Sequence, residues 1–133
     1  MAVRLLVNLD VDDLERGIDF YTQALDLRLE RRLYQSQVAE LSGAAVLIYL
    51  LQKPPGSVTA GQRRHYQAYW TPVHLDFVVD DLDVYLAKAL AAGATLKGSL
   101  QRAPWRDMAT LRDPFGHGFC LLRFYGEPYQ DAE

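Results

Sequence analysis

Val73-His74-Leu75-Asp76-Phe77-Val78-Val79-Asp80-Asp81-Leu82 decides the fold, because the chain carries a version of it once before, as Leu5-Leu6-Val7-Asn8-Leu9-Asp10-Val11-Asp12-Asp13-Leu14. In both copies apolar residues alternate with polar ones and then run into an Asp-Asp-Leu. Val73, Leu75, Phe77 and Val79 take one face, with His74, Asp76, Val78 and Asp80 on the other. In the first copy Val3, Leu5, Val7, Leu9 and Val11 oppose Arg4, Leu6, Asn8 and Asp10. Period-two alternation of this kind predicts a half-buried strand. The carboxylate pair that follows predicts the N-cap of a helix rather than a pair for acid–base work. Asp13 and Asp81 lie 68 residues apart.

The repeat continues past the caps. Leu14, Ile18, Tyr21 and Leu25 form an amphipathic helical stripe, and Leu82, Leu86, Ala89 and Gly93 recur at the same offset, with Gly93 as a C-cap. Strands are expected at 27–34, 37–41 and 45–51 after the first helix, and at 95–101, 107–111 and 118–124 after the second. Ser42-Gly43 and Asp113-Pro114-Phe115-Gly116 supply turns. Lys53-Pro54-Pro55-Gly56-Ser57 opens a breaker-rich linker running to about Thr71. The expectation is one α+β domain over 1–133. It comprises two βαβββ modules in tandem, module one about 1–53, the linker about 54–71 and module two about 72–126. Each half is too small to fold easily alone, so the two sheets are expected to complete one another and to share a concavity.

Composition narrows the function classes. Half of the 133 residues are apolar and 23% are charged, as in a globular domain, and the net charge is −3. A phosphate-backbone binder would be strongly basic, so no nucleic-acid partner is expected. The longest apolar run, Ala44–Leu51, is eight residues, against about 20 for a membrane span. No membrane partner is expected, and the absence of a secretory cleavage pattern makes the cytoplasm the expected compartment. A single cysteine, Cys120, excludes an intrachain disulfide and a Cys-based zinc knuckle.

Three stretches resemble the vicinal oxygen chelate superfamily, which includes glyoxalase I, extradiol dioxygenases, fosfomycin resistance enzymes and bleomycin resistance proteins. These are Val11-Asp12-Asp13-Leu14-Glu15-Arg16-Gly17-Ile18-Asp19-Phe20-Tyr21 with Ala24-Leu25, Val79-Asp80-Asp81-Leu82 with Ala92-Gly93-Ala94, and Asp113-Pro114-Phe115-Gly116-His117-Gly118. The resemblance implies paired βαβββ modules forming a curved mixed sheet around a central cavity, frequently a homodimer, and, in the enzymes, a divalent metal held by four His, Gln or Glu side chains, two from each module. At the matching positions stand Leu6, His74 and Cys120, with the fourth at or beside Ile48 and Tyr49 its neighbour. Leu and Ile have no lone pair for a cation. One histidine with one thiol falls short of the three protein ligands of a catalytic site. No metal is therefore expected (His74 is the sole candidate ligand), no cofactor, and no catalytic residue is assigned.

The remaining reading is a metal-free binder of a small molecule, a drug or metabolite. Its expected ligand-binding residues are His74, Asp76, Asn8, Leu6, Ile48, Trp105, Arg106, Met108, Cys120 and Trp70. For each a plainer role stands beside the functional one. His74 is equally a buried imidazole bonded to Asp76, Cys120 a packed thiol, and Arg106 a surface cation beside a core-edge Trp105. The interleaved Arg63-Arg64-His65-Tyr66-Gln67-Ala68-Tyr69-Trp70 reads as a crossover loop rather than a nucleic-acid strip. Two alternatives remain open: a metal-dependent glyoxalase- or dioxygenase-like enzyme, and a non-catalytic protein-interaction scaffold.

Overall fold

The computed structural model describes residues 2–130, and the chain divides between Gln67 and Ala68 into two compact units. In the first unit the order is β1 (Val7–Val11), α1 (Leu14–Leu25), β2 (Arg28–Leu33), β3 (Val38–Ser42) and β4 (Ile48–Gln52). The sheet runs β1-β4-β3-β2, with β1 parallel to β4 and the other pairs antiparallel. The second unit repeats this plan with β7 (Leu75–Val78), α2 (Leu82–Ala92), β8 (Thr95–Ala103), β9 (Arg106–Arg112) and β10 (Gly118–Phe124), in the order β7-β10-β9-β8. The sequence reading of two βαβββ modules is the architecture found.

Both helices start where the carboxylates predict. Asp13 accepts from the Arg16 N–H at 3.1 Å and Asp81 from the Val84 N–H at 3.2 Å, each filling an orphan donor of a first turn. Gly93 ends α2 at φ 119°, in the left-handed region. α1 buries Leu14, Ile18, Phe20, Tyr21, Ala24 and Leu25. It sits close to its sheet because Gly17 has no side chain: a Cβ there would meet Leu50 Cδ1 at 3.2 Å and Val11 Cγ1 at 3.3 Å. Leu50 and Val11 therefore define the helix-facing side of the first sheet.

Two expectations change. β1 begins at Val7 rather than Val3. β4 starts at Ile48, opposite Val7, so among the described residues no strand lies in register beside the earlier ones, and Val3 and Leu5 are 97% and 65% exposed. The stretch expected to be a linker contains a small hairpin, β5 (Val58–Thr59) and β6 (Gln62–Arg63), turning through Ala60 and Gly61 at positive φ. It is anchored within the first unit. Arg64 reaches Asp10 at 2.7 Å and Ser57 at 3.2 Å, and the Tyr66 hydroxyl donates to the Lys53 carbonyl at 2.6 Å. Burial pushes the Tyr66 hydroxyl up to about 12, with Asp10 and Asp12 adding to the shift. Among the described residues no helix is long and apolar enough to cross a membrane.

Candidate functional site

In the second unit one face of the sheet is fixed by charge. Arg102 bridges Asp83 on α2 at 2.9 Å and Asp107 on β9 at 2.8 Å, so Asp107 and, by alternation, Ala109 and Leu111 look toward α2. Their partners Leu121 and Phe119 share that side. Arg106, Met108, Thr110, Cys120 and Asp76 therefore occupy the face turned away from the helix.

On that face β7 and β10 run parallel with Asp76 directly opposite Cys120, and Thr110 opposes Cys120 from β9. His74, one residue before β7, holds its Nε2 3.2 Å from Asp76 Oδ1. The donor atoms of His74, Asp76 and Cys120 all lie within 4.8 Å of one another. Cys120 is 4% exposed, and its Sγ is 3.7 Å from the Thr110 hydroxyl. Burial pushes the Cys120 thiol up; Thr110 pulls it back, the Asp76 charge and hydrogen bond raise it again, and Arg106 lowers it.

Trp70 completes the cluster. Its indole lies where a side chain at position 118 would stand, so only a glycine is accommodated there. The same ring packs against His74 with centroids 4.7 Å apart. Arg106 stacks over Trp105 at 4.7 Å, and Trp105 packs on Phe124 and Tyr129. The Arg106 Nε is buried with no hydrogen-bond partner among the described residues. Met108, opposite Leu122, is half-buried on the same face.

The first unit presents a different set at equivalent places. Asn8 and Glu40 both oppose Tyr49, as Asp76 and Thr110 oppose Cys120. Tyr49, and not Ile48, is thus the counterpart of Cys120. Ile48 alternates with Tyr49 and shares the helix side with Leu50, where it is 1% exposed. Glu40 is almost fully covered and is held by Arg31 through Nε at 3.0 Å and Nη2 at 3.1 Å, and by the Tyr49 hydroxyl at 2.7 Å. The bond from Arg31, then that from Tyr49, holds its carboxyl below the ordinary range, while the same carboxylate raises the Tyr49 hydroxyl. Leu6 lies before β1 and is half exposed. Glu40, Thr110 and Gly118 were not singled out by sequence reasoning. A lone carboxylate inside Val38-Ala39-Glu40-Leu41, facing an arginine-rich strand, is the signal for the first.

Two βαβββ units in tandem, each with the same strand order, are the architecture of the vicinal oxygen chelate class of glyoxalase, bleomycin resistance and dioxygenase proteins. The glyoxalase-like domain matches residues 6–122, and this chain belongs to that family. The protein Mb0911c of Mycobacterium bovis is 31% identical over 131 residues, 94% of this chain and 83% of that relative. Among solved structures, the fosfomycin resistance protein FosX of Mesorhizobium loti superposes with TM-score 0.71 at 17% identity, covering 99% of this chain and 98% of its own. TnmS3, an antibiotic binding protein from Streptomyces sp. CB03234, has TM-score 0.64 at 22% identity, covering 93% and 97%.

The four-ligand divalent centre that the superfamily implies does not fit this donor set. The first unit offers Leu6, with no lone pair, and Tyr49, whose hydroxyl is donated to Glu40 and kept neutral by it.

Proposed function

We propose that this chain is a small-molecule binding protein, for a drug or metabolite, that captures its ligand metal-free, without the four-ligand centre of its enzymatic relatives. One observation carries the reading. The face of the second sheet turned from α2 bears an indole seated over Gly118, the His74–Asp76 pair and a covered thiol. A surface with one aromatic platform and a few placed polar groups is what orients a small organic ligand. The unpartnered Arg106 Nε adds a donor whose burial costs free energy until an acceptor reaches it.

The test is a thermal-shift screen of chelator-treated protein against planar drugs and metabolites. A ligand of the native state raises the melting temperature by mass action. The hit should also perturb tryptophan emission in the Trp105→Phe variant and leave it unperturbed in Trp70→Phe. Stabilisation seen only after manganese, nickel or iron is restored would overturn metal-free capture.

A further inference from the structure

We propose that the ligand of this face is an aromatic acid, a planar ring bearing a carboxylate, and that Arg112 is the residue that receives the acid. The inference rests on the small-molecule reading and narrows it to one chemical class.

Strand register sets the geometry. Arg112 ends β9 as the direct partner of Gly118 on β10, and it shares the alternation of Met108 and Thr110, so it belongs to the face turned from α2. Cross-strand partners hold their Cβ positions about 4.5–5.5 Å apart. The Cβ position of Gly118 is taken by the Trp70 indole, so the Arg112 side chain leaves the sheet beside that ring. His74 comes level with Gly118 from the other side, because Leu75 pairs with Phe119, and it packs on the same indole. Trp70 thus stands between an imidazole and a guanidinium. It is 45% exposed, which leaves ring surface on which an aromatic ligand can stack.

Charge fixes the chemical class. The Arg112 Nε is buried with no hydrogen-bond partner among the described residues, and the nearby carboxylates are engaged elsewhere. Asp113, next in the chain, accepts from the N–H groups of Phe115 and His117 at 2.9 Å inside the turn. Asp107 is held by Arg102 and Tyr125 on the helix side. Asp76 pairs with His74 on β7, two strand spacings or roughly 10 Å from β9. Lys97, exposed and opposite Thr110 on β8, brings a second positive charge to the Arg112 side of the face. A covered guanidinium donor costs free energy until an acceptor meets it, and its planar fork matches a carboxylate bidentately. Arg106 also has a buried, unpartnered Nε. It lies six residues back along β9, roughly 20 Å of strand, beyond the reach of a small acid stacked on Trp70.

The experiment titrates chelator-treated full-length protein with 1-naphthoate, 2-naphthoate and indole-3-carboxylate, each beside its uncharged primary amide, and reads binding by ligand-observed NMR. At least one acid should bind about 10- to 100-fold more tightly than its amide, the range of a hydrogen bond to a charged group. Added salt should weaken the acid and not the amide. Arg112→Gln should erase the preference and leave the amide affinity unchanged. Arg112→Lys keeps the charge without the fork and should restore only part of the preference. Arg123→Gln removes a positive charge from the helix side, where Arg123 pairs with Asp107, and should leave the preference intact. Circular dichroism establishes that each variant is folded; if Arg112→Gln is not, Arg112→Lys and the salt response decide. Acids held no more tightly than their amides, no acid held at all, or a preference that survives in Arg112→Gln overturns the inference. Uncharged hits in the thermal-shift screen would then leave the small-molecule reading standing, so the two fail separately.

Discussion

The two units share a strand order and differ in what they place on the face turned from the helix. In the first, Glu40 is tied to Arg31 and Tyr49, so its charges and hydroxyl are spent on one another. In the second, Thr110 stands where Glu40 does and Cys120 where Tyr49 does, with no guanidinium bridging them among the described residues. His74 and Asp76 pair with each other there, each about one-third exposed. The two units share one strand order, and in the first an internal ion pair occupies this face.

The largest effect should come from the matched cores. Leu50 and Leu121 are both fully buried at equivalent helix-facing positions. Leu50→Ala and Leu121→Ala should each cost about 2–5 kcal/mol, transfer loss plus cavity, measured by urea denaturation. A loss below about 1 kcal/mol at either site, against that range, would break the equivalence of the frames. Next comes the seat of the indole. Gly118→Val should displace Trp70 and cost about 1–3 kcal/mol, as overpacking does. The double variant Gly118→Val with Trp70→Ala should recover part of that loss, because neighbours in contact are not additive. Strict additivity would mean the ring does not rest there.

Smaller still are the caps. Asp13→Ala and Asp81→Ala should each cost about 1 kcal/mol, and a marked inequality would show that one helix leans less on its first turn. The smallest effects are on pH, where the units should diverge. Glu40 is held below the ordinary carboxylate range, so its contribution is present above about pH 4.3 and is lost as pH falls through its lowered value. Glu40→Gln should flatten the acid limb of the melting curve. Cys120 is raised, so its contribution is complete below about pH 8.5 and is lost as pH rises through the folded value. Cys120→Ser should flatten the alkaline limb and leave the acid limb unchanged. The reverse pattern would exchange the roles given to the two faces.

Much of the frame is legible in the sequence because Asp-Asp-Leu and the apolar periods repeat at a fixed offset. The site is legible only in part. His74, Asp76 and Cys120 can be named from alternation and from the hairpin glycine. That Asp76 faces Cys120 across a parallel ladder depends on register, which neither strand encodes alone. Ile48 shows the difficulty plainly. Ala44–Leu51 is apolar throughout, so a slip of one residue costs nothing in pattern yet turns the side chain to the other face. The spacing from Tyr49 to Cys120 is 71, not 68, so the repeat cannot correct it. The hairpin at 58–63 is missed for another reason: its strands are two residues each, too short for a period, and only Ala60-Gly61 hints at the turn.

The outer strands have a consequence for the protein in concentrated solution. β2 carries Arg28, Glu30, Arg31 and Arg32 along its length and shifts register between Leu29 and Arg31; β8 shifts between Lys97 and Gln101. A flat rim of free amides invites strands from other molecules, and charges and bulges spoil that template. Each sheet thus ends in a strand whose charges or irregular register disfavour the docking of a foreign strand at that rim.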